Sequence, residues 1–199
     1  MRSRVFLALV AAAPLLMSAA PIGEIEALLA RPKILCGRFD QTKQLVGLKK
    51  PLASNGRFCV VAEKGVLWRS LQPFPSMLKL TRDEILQLEG DRVALRLDAK
   101  QEPAVRMING VLFAALAGDF ERLKNIFDIE GAVQNGAWSV TLKARSVALA
   151  KAIGTIALEG GAYVRNVMIV EASGDRTKIV FSDIRTGDGA MSTDEAALF

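Results

Sequence analysis

Short runs of alternating apolar and polar residues, separated by turn residues, dominate the chain after residue 34. Leu35, Gly37 and Phe39 fall on one side of the first run, with Arg38, Asp40 and Thr42 on the other. That is the period-2 pattern of a strand with one dry face. Pro51, Ser54, Asn55 and Gly56 supply turn chemistry, and a second run sets Phe58 and Val60 opposite Arg57, Cys59 and Val61. After Lys64-Gly65 a third strand passes through Val66, Leu67 and Trp68, closed by Pro73 and Pro75. Residues 77–81 and 84–89 alternate in turn, and Gly90-Asp91 leads into 93–97. The pattern predicts an antiparallel meander.

Helical spacing appears in four places. Ile22, Ile25, Leu28 and Leu29 make a short amphipathic helix that Pro32 ends. Glu102-Pro103 opens a helix carrying Val105, Met107, Ile108, Val111, Leu112, Phe113 and Leu116, apolar most of the way round, with Gly118 at its end. Asp119 caps a second one with Phe120, Leu123, Ile126 and Phe127. Residues 146–153 form the last. Strands return at 127–133, 137–144, 155–159, 163–172 and 177–184, with turns at Gln134-Asn135-Gly136, Gly160-Gly161 and Ser173-Gly174-Asp175. The tail from Gly187 reads as small, polar and mostly loop. With about ten strands, few helices and no alternation of strand and helix, the fold class is α+β. The expected architecture is a single, strongly curled antiparallel sheet with short helices over one side.

The N-terminus changes what counts as the domain. Arg2 and Arg4 precede an apolar stretch from Val5, interrupted by Pro14, with Ser18, Ala19 and Ala20 after it. This is the layout of a secretory leader over residues 1–20, leaving one domain over 21–199. As a membrane anchor it is short of the roughly 20 apolar residues a span needs. Losing Arg2 and Arg4 takes the net charge from +5 to +3. Basic residues are scattered and not interleaved with aromatics, which argues against a nucleic-acid partner; weak attraction to anionic membrane surfaces fits. Two cysteines in an exported chain invite a disulfide. Cys36 and Cys59 sit on adjacent predicted strands, and a bridge would close a loop of about 22 residues, worth roughly 3 kcal/mol in the chain-entropy model. Two separate buried thiols fit the same pattern.

Catalytic chemistry finds little support. Histidine is absent, which removes the commonest general base, the Ser-His pair and most zinc sites. Asp175 and Asp188 lie in Gly-containing turns, where Asp is favoured for backbone reasons. Gly160-Gly161 belongs to no phosphate-loop pattern. The expectation is a non-enzyme with no metal and no cofactor.

Several short patterns together resemble the bacterial periplasmic lipoprotein carrier family, LolA, over nearly all of the mature chain. They are Gly37-x-Phe39-x-Gln41, Ser54-x-Gly56, Val66-Leu67-Trp68 followed by Gln72-Pro73, and Gly174-Asp175-x-Thr177-x-Ile179-x-Phe181-Ser182. The resemblance implies an unclosed β-barrel half-wrapping a hydrophobic cavity, with helices as a lid. It implies a periplasmic, monomeric carrier of lipidated cargo, lipoprotein or acyl lipid. Such a carrier would move between an inner-membrane donor transporter and an outer-membrane acceptor, with transient membrane contact. On that reading Phe39, Phe58, Val60, Trp68, Leu78 and Leu80 line the sheet side of the cavity. Met107, Leu112, Phe113, Leu116 and Phe120 line the lid. An ordinary apolar core would carry the same signature at each position. One departure stands out: where the main branch has an Arg-Pro that holds the lid closed, this chain has Ala62-Glu63. Arg57 and Arg69 are the nearest substitutes. The difference suggests a divergent relative whose cargo need not be a lipoprotein. The alternative reading is a lipid-sensing regulatory or interaction module of the cell envelope.

Overall fold

The computed structural model describes residues 22–98, 101, 110, 113, 114 and 119–199. Eleven antiparallel strands form one sheet in the order β6-β5-β4-β3-β2-β1-β11-β10-β9-β8-β7. The first meander comprises β1 (Ile34–Gln44), β2 (Leu52–Val61), β3 (Gly65–Gln72), β4 (Ser76–Thr81), β5 (Glu84–Glu89) and β6 (Arg92–Asp98). The second comprises β7 (Phe127–Gln134), β8 (Ala137–Ala144), β9 (Thr155–Gly160), β10 (Val164–Val170) and β11 (Arg176–Thr186). Each alternating run of the sequence becomes one of these strands. The two meanders join only where β1 pairs with β11, Phe39 lying opposite Phe181. β6 and β7 are opposite edges, so the sheet is unclosed and residues 99–126 must pass from one edge to the other.

One face of the sheet holds the main core: Phe39, Phe58, Trp138, Val140, Leu142, Leu158, Val167 and Phe181, with Ile25, Phe120, Leu123 and Leu149 from the helices. The helices are α1 (Ile22–Leu28), α2 (Phe120–Leu123) and α3 (Val147–Ile153). Asp119 caps α2 as expected, accepting from the Arg122 amide. The helix is a single turn, however: Ile126 lies beyond it and Phe127 already begins β7. The long helix expected from Glu102 falls largely outside the described residues.

Two glycines set how the aromatic side chains lie. On β1 and β2 the sequences Gly37-x-Phe39 and Gly56-x-Phe58 run antiparallel, so that Gly37 faces Phe58 and Phe39 faces Gly56. Each ring lies across the other strand's glycine: a Cβ added at Gly37 would come 2.9 Å from Phe58, and one at Gly56 2.8 Å from Phe39. Trp68, across β2 on β3, then stacks on Phe39 with ring centroids 3.8 Å apart, and Phe58 packs on Phe181 at 4.7 Å.

The opposite face carries a bonded disulfide, Cys36–Cys59, between directly paired positions on β1 and β2. The tail, expected to be loop, is ordered over it. It forms a 3-10 turn (Asp188–Ala190) and a short helix α4 (Thr193–Ala196), with Ser192 and Glu195 in a reciprocal capping box. Ala190, Met191, Leu198 and Phe199 cover the disulfide and Leu67. The Ser-x-x-Glu signature was present in the sequence, but a helix this short has no periodicity to announce it. Glu195 is buried and pairs with Arg57 at 3.5 Å.

Three outcomes follow for stability. Gly56→Ala places a methyl 2.0 Å from the Arg69 carbonyl oxygen as well as against Phe39, and should cost about 3 kcal/mol or more in urea unfolding. Gly23→Ala, with nothing within 4 Å, should change stability by less than about 1 kcal/mol. Replacing both cysteines by alanine should remove about 3 kcal/mol with an unchanged far-UV spectrum; no loss would mean the covering tail already confines this hairpin.

Candidate functional site

The connection from α1 to β1 is pinned at both ends by backbone hydrogen bonds. The Ala30 amide donates to the Ala162 carbonyl at 2.8 Å, and the Ala62 amide donates to the Lys33 carbonyl at 2.8 Å. Pro32 stiffens the run between. Held there, residues 29–32 stand off the sheet beside the aromatic cluster and leave a cavity of about 180 Å³. Leu35, Phe58, Val60 and Phe181 form its sheet side, with Ala62 at the margin; Leu29, Ala30 and Pro32 face them, and Tyr163 and Val164 close one end. Two larger hollows, about 460 and 490 Å³, lie on the surface and mix polar with small or apolar residues. The smaller space has the apolar walls that a ligand site of this kind needs.

Among the described residues, two charged side chains border the cavity, Arg31 and Asp119. Arg31 pairs with Glu26 at 3.8 Å, and Asp119 pairs with Arg122 at 2.9 Å. Glu26 also accepts a hydrogen bond from the Glu121 amide at 3.2 Å, tying α1 to the start of α2. Each charge is matched outside the apolar space, which leaves burial of nonpolar surface as the interaction the walls can offer.

Of the residues expected to line a cavity, Phe58 and Val60 border this one. Phe39 is buried beneath it and Trp68 is half-buried against Phe39. Leu80 is buried with Val66 and Ile85, and Leu78 and Phe113 pack on that cluster. Phe120 is fully buried, edge-on to Trp138 at 5.6 Å. Met107, Leu112 and Leu116 lie outside the described residues. Phe113 packs over β3–β5 and Phe120 over β8, both on the core face.

Sequence reasoning passed over Leu29, Ala30, Arg31, Pro32, Leu35, Ala62, Asp119, Tyr163, Val164 and Phe181. Leu35 and Phe181 shared the dry face of their strands and were available as a signal. The α1–β1 connection gave none, because a loop lines a cavity only through what it is tied to. Ala62 borders the cavity and Glu63 sits exposed in a turn with φ 64°, so neither supplies a cationic latch. Arg57 and Arg69 project from the other face, in register with Arg38. Glu26 is the side chain that reaches α2 here.

The fold recurs in solved structures at low identity. A chain of the MucA/MucB complex of Pseudomonas aeruginosa aligns with a TM-score of 0.50 and 13% identity, over 87% of this chain and 59% of that one. A LolA superfamily protein from Nitrosomonas europaea aligns at 0.45 and 8% identity, over 87% and 96%. A putative outer membrane lipoprotein-sorting protein domain from Vibrio parahaemolyticus aligns at 0.44 and 9% identity, over 89% and 95%. No curated protein matches significantly. The family described as outer membrane lipoprotein carrier protein LolA matches residues 32–193. With that match spanning most of its length, on an unclosed sheet of eleven strands, the chain belongs to the LolA family as a divergent member.

Proposed function

We propose that this protein is a non-enzymatic periplasmic carrier that takes acyl chains of a lipoprotein or other lipid into the space between its sheet and its covering segments. The observation that carries this reading is the apolar cavity walled by Leu29, Leu35, Phe58, Val60 and Phe181 in a chain of this family. Each buried methylene is worth about 0.8 kcal/mol, so a long acyl chain costs on the order of 10 kcal/mol to leave a bilayer unprotected. A carrier must replace that burial in full.

Size decides what else must happen. A cavity of about 150 Å³ admits a molecule such as benzene, and about 180 Å³ is small for a long acyl chain. On this reading the covering segments move away from the core face when a chain is loaded. The tie from Glu26 to the Glu121 amide and the packing of Phe113 on the Val66–Leu80–Ile85 cluster are contacts that such a movement would break. The donor would then be an inner-membrane transporter and the acceptor an outer-membrane component. A second reading, a lipid-responsive interaction module, draws on the MucA/MucB complex, where a chain aligned with this one occurs in an assembly.

The test uses the mature protein purified without detergent, incubated with an acylated lipoprotein and with a fluorescent fatty-acyl probe, and read by native mass spectrometry. A retained acylated molecule is expected, with uptake at least tenfold lower in Val60→Asp at an unchanged far-UV spectrum. Absence of uptake by the parent protein would overturn the carrier reading. Transfer of the bound molecule to acceptor vesicles favours the carrier; a lipid-dependent change in affinity for a protein partner favours the module.

A further inference from the structure

Antiparallel pairing gives the sheet two rims with different surfaces. One rim carries the β1–β2, β3–β4, β5–β6 and β10–β11 connections and the β8–α3–β9 connection; the other carries the β2–β3, β4–β5, β7–β8 and β9–β10 turns and the cavity. Exposed large apolar side chains favour the first rim. Val46 (68% exposed), Leu48 and Leu52 lie on the β1–β2 connection, Leu71 and Phe74 (80%) on β3–β4, Val147 (74%) at the start of α3 and Val170 at the end of β10. Among the described residues the other two, Val93 and Leu95, belong to edge strand β6, and none sits on the cavity rim.

The β1–β2 tip is held in this posture by its own hydrogen bonds. The Val46 amide donates to the Asp175 carboxylate at 2.8 Å, and the Gln44 side-chain amide donates to the Leu48 and Leu45 carbonyls at 2.6 and 3.2 Å. Backbone groups satisfied internally can leave water without the cost of an unpaired polar group. Cations stand beside the tips: Lys49, Lys50, Lys151 and Arg176 are exposed and form no ion pair with a described residue. Asp91 and Asp175 are the carboxylates on the same connections that lack a cationic partner among the described residues. Between the β1–β2 and β3–β4 tips the surface is polar, lined by Asp40, Gln41, Thr42, Ser54, Asn55 and Gln72.

We propose that this rim docks on an anionic lipid bilayer, with Val46, Leu48 and Phe74 entering the interface and Lys49 and Lys50 against the headgroups. Separate apolar tips divided by polar surface suit a yielding interface; a protein partner would call for a continuous apolar centre. The neighbouring unpaired cations supply the attraction to anionic lipid. Docked this way, the protein turns its cavity rim away from the bilayer, open to another molecule. The inference does not depend on what the cavity holds.

Sedimentation of the mature protein with mixed phosphatidylcholine–phosphatidylglycerol vesicles, against pure phosphatidylcholine, tests it. Binding to the anionic vesicles is expected, weakened by salt and by about fivefold for each of Lys49→Ala and Lys50→Ala. Val46→Asp with Phe74→Asp should lower partitioning at least tenfold, while Ala137→Asp on the cavity rim leaves it unchanged. In Phe74→Trp the added indole should show a blue shift in emission with anionic vesicles. No binding by the parent protein, no effect of the paired tip substitutions, or an unshifted indole would each overturn the proposal. Acyl-probe uptake by the tip variant should equal that of the parent, so failure of docking and failure of the carrier reading are separable.

Discussion

The reciprocal packing of Phe39 over Gly56 and Phe58 over Gly37 is the contact on which the rest of the core is laid. A side chain on either glycine would lift the facing ring off its neighbouring strand. With glycine there, both rings lie close to the sheet, which leaves Trp68 free to stack on Phe39 and Phe181 to pack on Phe58. That aromatic patch spans the junction of β1 with β2 and β11, where the two meanders become one sheet. The same device recurs at the far side, where Trp138 faces Gly160 and its indole N–H donates to the Gly161 carbonyl at 2.7 Å. Trp138 in turn presents a face to Phe120.

Leaving the sheet unclosed has a topological price: β6 and β7 follow one another in the chain but lie at opposite edges. The chain therefore passes from one edge of the sheet to the other between them, and the described residues of that stretch lie against the core face. Phe113 over the Val66–Leu80–Ile85 cluster and Phe120 in the main core mark the two sides of that crossing. A cover attached through side-chain packing and a few polar ties can leave the sheet without breaking its ladder. The outer face is treated differently. There the disulfide and the C-terminal segment fix β1 to β3, and the Glu195–Arg57 pair helps to seat the segment. One side of the same strands is tied by a disulfide and a buried ion pair, and the other is covered by side-chain packing and a few hydrogen bonds.

Strand existence was legible in the sequence because alternation is local: the side chain of every second residue must face the same way. Each run from Leu35 onward became a strand, and the Asp119 cap fell where its oxygen was needed. The glycine and aromatic pairs of Gly37-x-Phe39 and Gly56-x-Phe58 were visible as a pattern, although their interlock required the register. The resemblance to the family rested on those same residues.

Only the tertiary structure decided which apolar residues are core and which are wall. Phe39, Leu80 and Phe120 read the same as Phe58 and Val60, yet the first three line no part of the cavity, while Phe58, itself buried, and half-buried Val60 form its wall. The difference comes from residues 29–32, held away from the sheet by bonds to Ala162 and from Ala62. No local pattern encodes a gap between two segments far apart in sequence. The tail likewise became helix because it had the disulfide and Leu67 to cover. The gathering of Val46, Phe74 and Val147 on one rim is a product of strand pairing. Hydrophobicity belongs to each residue; exposure and company belong to the fold.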